Sequence, residues 1–258
     1  MELGLEGKLA LITGGTKGIG LACARALAAE GAKIAICSRS QKHIDEAKAS
    51  LPDAFGVPAD LTDADAAARM IETVESSLGH IDVLVNSAGA AKRTPPDELT
   101  PELWRTAIDA KFFTYINVID PLVKRMAVRG KGVIISIVGI GGKIAMPTHL
   151  AGGSANAALM LATAGLAAVY ASKGVRVVGV SPGLTETDRV KEAMTAVARL
   201  SGISTDEAYR QSVESIPLGR MASPEEIADM VAYLASDKAS YVTGTTISMD
   251  GGHYPIVL

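Results

Sequence analysis

Aromatic side chains are scarce in this chain, 4% of 258 residues against a hydrophobic share of 48%. A core with few large rings has to be assembled from Ala, Val, Leu and Ile, the residues that pack short helices onto a parallel sheet. Cysteine is scarcer still. Cys23 and Cys37 stand without C-x-x-C spacing, so no disulfide framework is implied and both are expected as buried apolar side chains. The four histidines, His43, His80, His149 and His253, are scattered and match no ligand spacing, and no metal is expected. Net charge is −3 with both signs interspersed and no basic run, which excludes the concentrated positive field that nucleic-acid backbones require. Apolar stretches are broken by Gly, Lys or Ser before the roughly 18 residues of a membrane span. Met1-Glu2-Leu3 has no basic region ahead of an apolar one, so neither membrane nor leader is expected, and a cytoplasmic location is.

What is present is a regular alternation. Short apolar runs of strand type recur at Leu9–Thr13, Lys33–Ser38, Ala54–Pro58, Val83–Asn86, Val133–Val138, Val175–Ser181 and Thr245–Met249. Segments of helical period separate them: Ile19–Glu30, Lys42–Ser50, Ala64–Leu78, Pro101–Arg129, Leu150–Ser172 and Pro224–Ala235. Such alternation demands right-handed crossovers and predicts a seven-stranded parallel sheet with helices on both faces, a doubly wound α/β (Rossmann) fold occupying residues 1–258 as one domain. One irregular insertion, Thr187–Pro217, follows the C-terminal end of the sixth strand, the natural place for a substrate lid.

The segment Thr13-Gly14-Gly15-Thr16-Lys17-Gly18-Ile19-Gly20 closes the first strand and opens the first helix. Glycines there permit positive φ and close backbone approach, and a helix N-terminus offers unpaired N–H groups to a pyrophosphate, so a nicotinamide dinucleotide is expected. The spacing is G-x-x-x-G-x-G rather than G-x-G-x-x-G. At the end of the second strand, Ile36-Cys37-Ser38-Arg39-Ser40 carries no carboxylate to accept from an NAD ribose. Arg39 can pair with a 2′-phosphate, Ser38 can donate a hydroxyl, and Lys17 adds a second cation, so NADP(H) is the expected cofactor; the alternative is that Arg39 is a solvated loop residue.

At this point the chain resembles the short-chain dehydrogenase/reductase family along essentially its whole length. Thr13 to Gly20 is similar to the family's T-G-x-x-x-G-x-G, and Asp60-Leu61 to its adenine-holding pair. Asn86-Ser87-Ala88-Gly89 is similar to N-N-A-G, with Ser in second place. Pro182-Gly183-Leu184-Thr185-Glu186-Thr187 matches the segment that receives the nicotinamide carboxamide. Pro217-Leu218-Gly219-Arg220, Pro224-Glu225-Glu226-Ile227-Ala228, Thr243-Gly244 and Asp250-Gly251-Gly252 complete the C-terminal signature. The resemblance implies that the cofactor is held by Gly14, Thr16, Lys17, Gly18, Ile19, Gly20, Ser38, Arg39, Asp60, Leu61, Asn86, Ala88, Gly89, Pro182, Gly183, Thr185 and Thr187. For Asp60, capping of the next helix stays open as an alternative. It also implies a small-molecule substrate and a homotetramer in which Pro101–Arg129 and Leu150–Ser172 pack across one interface.

The same resemblance implies four catalytic groups, an Asn, a Ser, and a Tyr and Lys spaced Y-x-x-x-K. The Tyr acts as general acid or base, the Lys lowers its pKa, the Ser positions the substrate oxygen and the Asn supports a proton relay. Counting from the flanking motifs places Lys111, Gly139, Gly152 and Asn156 at those positions, and no Y-x-x-x-K occurs between Val133 and Arg176. Lys111 is the first candidate replacement, set against a surface lysine at a helix bend. His149 is the second, set against a helix-start histidine making a structural hydrogen bond. Ser136, Lys143, Ser154 and Asn156 are further polar groups near the same place, with Tyr209 and Tyr254 able to enter from the lid or the C-terminus. Two glycines predict a wide pocket. The reaction class that follows is hydride transfer to or from a carbonyl, imine or activated alkene with a non-standard proton donor, against a non-catalytic dinucleotide-binding protein.

Overall fold

Leu9–Thr13, with all five residues buried, forms the central strand β1 of the computed structural model. Its neighbours are β2 (Lys33–Ser38), β3 (Phe55–Pro58), β4 (Val83–Asn86), β5 (Gly132–Ile137), β6 (Val175–Pro182) and β7 (Thr246–Met249). They form one sheet in the order β3-β2-β1-β4-β5-β6-β7, every pair parallel. The structure describes residues 2–89 and 91–256, so Met1, Ala90, Val257 and Leu258 of the expected 1–258 domain lie outside the described residues. The chain winds outward from β1 to β3, then returns to β4 on the other side of β1. That reversal opens a crevice at the C-terminal ends of β1 and β4, where doubly wound sheets bind ligands.

Burial on both faces explains the strands' continuous hydrophobic runs. Ala10, Ile12, Val83, Val85, Val178 and Val180 face α1 (Gly18–Ala29) and α9 (Pro224–Ala235). Leu9, Leu11, Leu84, Ile134 and Val177 face α3 (Ala64–Leu78), α5 (Thr114–Arg129) and α6 (Leu150–Tyr170). Behind the sheet, Glu75 on α3 ties to α5 through Arg125 at 2.8 Å and Arg129 at 3.3 Å. Glu75 also accepts from the Ile81 N–H at 3.2 Å, so α3, α5 and the start of β4 are held as one block. Cys23 and Cys37 are buried and unpaired, and burial pushes both thiols up to about 12, in keeping with a packing role.

Three expectations change. The helix read across Pro101–Arg129 is divided: α4 (Pro101–Ile108) runs into a π-helical turn, Asp109–Phe113, before α5 continues. The Thr187–Pro217 insertion is not irregular but holds two helices, α7 (Asp188–Ser201) and α8 (Thr205–Glu214), which bury Val190, Met194, Ala198 and Ala208 against Ile216 and Met221. The helix expected at Lys42–Ser50 is present as α2 (Gln41–Lys48), between β2 and β3 and capped by Ser40. Finally, the segment Pro147–Lys173 forms one stretch of 27 residues in which an 18-residue window has a mean hydropathy of 1.4, long and apolar enough by length and composition to cross a membrane. Its glycines and serine interrupt the sequence pattern without interrupting the helix. One side, including Ala151, Ala155, Leu159, Thr163 and Ala167, is buried against the fold, while Leu161 and Val169 stand exposed.

Candidate active site

The crevice at the end of β1 is tied together by one hydroxyl. Thr13 is fully buried, donates to Asn86 Oδ1 at 3.2 Å, and accepts from the N–H groups of Ser87 at 3.2 Å and Ala88 at 3.3 Å. The glycine turn follows. Gly14 and Gly18 have φ of +65° and +52°, a region that L side chains rarely adopt. A Cβ on Gly14 would come within 2.8 Å of Ala88 Cα, and one on Gly20 would strike the carbonyl oxygen of Gly14. The α1 N-terminus behind them has no side-chain cap. Small residues and uncapped N–H groups together fit the pyrophosphate of a dinucleotide.

Register extends the crevice sideways. Thr13 pairs with Asn86, Asn86 with Ser136, and Ser136 with Gly179, two residues before Ser181. Side chains alternate along strands, so Thr13, Asn86, Ser136 and Ser181 share the face that carries α5 and α6. Asn86 Nδ2, Ser136 Oγ and Ser181 Oγ are buried without a partner among the described residues. Each such group costs about 1–3 kcal/mol when left unpaired, so this row is suited to polar contact with a bound group.

At the opposite end, Arg39 is exposed after β2, and Ser38 Oγ accepts from the Ser40 N–H at 3.4 Å. Lys17 reaches toward the same corner, its Nζ 3.2 Å from His43 Nε2 on α2. Asp60 accepts from the Thr62 N–H at 3.0 Å and the Thr62 hydroxyl at 2.8 Å, both through Oδ1. Those bonds, more than the nearby Arg39, hold its carboxyl below the usual range. It does not cap α3: Asp63 does, accepting from Asp65 and Ala66. Leu61 is buried beneath, with its carbonyl held by Asn117 at 3.0 Å. Beyond β6, the Gly183 N–H donates to Met249 O at 2.9 Å, and Thr185 is buried in an isolated bridge to Ala222. Thr187 turns back over the glycine segment, placing its methyl 3.3 Å from where a Gly18 Cβ would stand. Thr16 is buried and Ile19 half-buried in the turn itself, while Gly89, at φ +79°, lies under the π turn, where a Cβ would meet the Ala110 carbonyl.

The four positions assigned to catalysis by resemblance converge on the face above Ser136. Lys111 sits in the π turn and is half-buried rather than on the surface. Its ammonium donates to Tyr115 Oη at 2.7 Å and to Ile137 O at 3.0 Å, and lies 4.2 Å from the Tyr115 ring centre. Burial first, then the charge of Arg189, lowers its pKa to about 7. Tyr115 is fully buried, donates to Ile137 O at 2.7 Å, and is held above its ordinary pKa by burial.

The expected wide pocket is filled. A Cβ on Gly152 would collide with His149 Cε1 and approach Nε2 at 2.7 Å, and one on Gly141 would meet His149 Cδ2 at 3.0 Å. The imidazole thus stands between two glycines, in the place a side chain at 152 would take. Across from it, Asn156 Nδ2 lies 3.1 Å from where a Gly139 Cβ would be, and its buried Oδ1 has no partner among the described residues. Burial, then Arg93 and Lys111, lowers His149 to about 4, so the ring is neutral near pH 7, with a buried and unpartnered Nδ1.

Other polar candidates point elsewhere. Lys143 reaches β7, donating to Thr246 O at 3.2 Å and Ser248 Oγ at 3.0 Å. Ser154 is exposed and bonds its own helix at Leu150 O, and Tyr209 is exposed on α8. Tyr254 comes closer, near enough to Arg93 for that charge to act on its phenol. Two residues escaped the sequence reading: Arg93, whose Nη1 donates to Thr148 Oγ1 at 3.4 Å, and Arg189, at the start of α7. Arg93 lies in an irregular segment and Arg189 in the first turn of α7, and only the tertiary fold brings them to His149 and Lys111.

Comparison with known proteins agrees with the fold and the family. A family profile described as Enoyl-(Acyl carrier protein) reductase matches residues 14–254. The chain is 33% identical over 252 residues to the 3-oxoacyl-(acyl-carrier-protein) reductase FabG of Staphylococcus aureus, covering 96% of this chain and 98% of that protein. It is 34% identical over 250 residues to an acetoacetyl-CoA reductase of Rhizobium meliloti, covering 96% and 98%. Among solved structures, an actinorhodin polyketide ketoreductase with NADPH superposes with a TM-score of 0.93 at 29% identity, covering 97% of this chain and 98% of that one.

Proposed function

The chain belongs to the short-chain dehydrogenase/reductase family, and from that premise we propose that it is an NADP(H)-dependent oxidoreductase acting on a carbonyl, imine or activated alkene with an unusual proton donor. The observation that carries the second half is the pair of His149, whose ring fills the space beside Gly152, and Lys111, whose ammonium donates to Ile137 O. NADPH supplies the hydride when bound. Gly14, Gly18 and Gly20 with the α1 N–H groups hold its pyrophosphate, and Arg39, Lys17 and Ser38 hold the 2′-phosphate. Asp60 and Leu61 flank the adenine, and Asn86, Ala88 and Gly89 lie along the ribose. Pro182, Gly183, Thr185 and Thr187 orient the carboxamide.

Lys111 is the proton donor in this reading, because a group with a pKa of about 7 holds and releases a proton near neutrality. Neutral His149 is a poor acid at that pH and instead orients the substrate oxygen. Residues 187–217 act as the lid: α7 and α8 share their own small core, which lets them move as a unit. The exposed Leu161 and Val169 on α6 support a homotetramer in which that helix packs across an interface.

The test measures NADPH and NADH binding by nucleotide fluorescence, then turnover on ketones, imines, enones and alcohols. Tighter binding of NADPH is expected, with NADPH oxidised by a ketone, imine or enone, or NADP⁺ reduced by an alcohol. Binding without turnover across the panel would leave a dinucleotide-binding protein and remove the catalytic reading.

A further inference from the structure

The cations gathered around His149 lack acidic partners. Among the described residues, Arg93, Lys111 and Arg189 take no part in any ion pair within 4.0 Å, although ion pairs are frequent elsewhere on the surface. Arg93 is half-buried and fixed in place. The Thr94 N–H donates to Thr148 O at 3.0 Å, fastening the segment after β4 to the turn that carries His149. Arg93 Nη1 reaches Thr148 Oγ1 only at 3.4 Å, which leaves most of its donor capacity free.

Beside it a cleft runs between this segment and α7, lined by Lys92, Arg93, Pro95, Thr148, Ala196 and Leu200. Glu98, the one carboxylate on its wall, is taken up by Arg199 at 2.8 Å. With Lys92, Arg93 and Arg199 against Glu98, the cleft keeps a surplus of two positive charges. Burial holds the Arg93 guanidinium below its ordinary range. Desolvated arginine next to an apolar wall of Pro95, Ala196 and Leu200 matches an acyl chain that ends in an anion.

We propose that this cleft takes the anionic end of the substrate, a carboxylate or phosphate joined by a flexible chain to the carbonyl that meets Lys111 and His149. The proposal rests on the oxidoreductase reading for its carbonyl end and on Arg93 for its anionic end. Two sources share the chemistry: a free keto acid, and an acyl thioester whose carrier bears phosphates.

The experiment uses matched pairs of probes with the whole NADPH-loaded chain. 4-Oxopentanoate is compared with its methyl ester, and acetoacetyl-CoA with the uncharged acetoacetyl-N-acetylcysteamine thioester. In the wild-type chain one charged member should exceed its neutral partner in kcat/KM by about tenfold or more, the scale of a charge-assisted hydrogen bond, and the pair showing it identifies the source. In Arg93→Gln the charged-to-neutral ratio should fall toward one, and in Arg93→Lys it should fall part of the way. NADPH binding and Tm are followed in each variant to certify folding. If nothing turns over, the same pairs are measured by calorimetric binding to the NADP⁺-loaded chain. Anion-selective binding lost in Arg93→Gln then keeps the anion site while removing the enzyme reading. Equal use of charged and neutral members by the wild-type chain, or a ratio unmoved by Arg93→Gln, overturns the proposal and leaves the oxidoreductase reading standing.

Discussion

The imidazole of His149 stands where a side chain on Gly152 would begin, with Nε2 only 2.7 Å from that point. The two positions therefore compete for one volume. Gly152→Ala should cost about 1–3 kcal/mol, as overpacking of a filled site does. In a His149→Ala background the same change should cost less, because the nearest obstacle is gone, leaving Ala91 Cβ at 2.8 Å. Denaturant unfolding of the four chains checks this, and additive costs would contradict the shared volume.

Lys111 is expected to give opposite answers in two assays. Lys111→Met removes a buried ammonium, so Tm should rise or hold, while kcat should fall about a hundredfold or more if the amine donates the proton. NADPH binding should persist. The wild-type rate of carbonyl reduction should decline as pH rises through about 7, where the ammonium is lost. A turnover unchanged by Lys111→Met would transfer the donor role to another group.

Stability should fall in acid for a reason located at His149. Its folded pKa, about 4, is below the unfolded value of about 6.5, so the unfolded chain binds the extra proton between those values. By linkage, stability is full above about pH 6.5 and is lost as pH falls toward 4. His149→Gln has no such proton to gain, and its Tm should fall less steeply across that window in a thermal titration.

Cofactor choice should follow Arg39. Arg39→Asp exchanges a 2′-phosphate partner for a repelling carboxylate, so the NADPH-to-NADH ratio of Kd values should move toward NADH by about ten- to a hundredfold, the worth of a charged hydrogen bond. Gly20→Ala should weaken both nucleotides alike, since its Cβ would strike the Gly14 carbonyl that shapes the turn. A Gly20→Ala chain that still discriminates but no longer binds tightly would separate cradle from selectivity, whereas unchanged binding would contradict the cradle.

Much of the fold was legible before the structure, because central strands such as Leu9–Thr13 and Val83–Asn86 are buried on both faces and read as apolar runs, while the edge strands β3 and β7 are partly exposed. The helices of the 187–217 segment were missed although Ser204 and Glu207 carry a capping pattern, with the Glu207 N–H donating to Ser204 Oγ at 3.1 Å. The π turn at Asp109–Phe113 has no Pro or Gly to announce it, and helical periodicity does not separate it from the helices on either side. The contents of the site were the least legible. That His149 would refill the space beside Gly152, and that Arg93 would stand next to it, depends on the Thr94–Thr148 backbone bond, a contact between segments more than fifty residues apart.

That π turn also bears on how the scaffold can be changed. It widens the helix just enough to set Lys111 toward Ile137 while Tyr115, one turn later, enters the core. Deleting a residue between 109 and 113 would close the turn into a plain α-helix with α5 kept in register, removing the bulge that sets Lys111 toward Ile137. Libraries built on this chain can vary the side chain at 111 where turnover is not needed, but must keep the length of that segment if an amine at 111 is to reach Ile137.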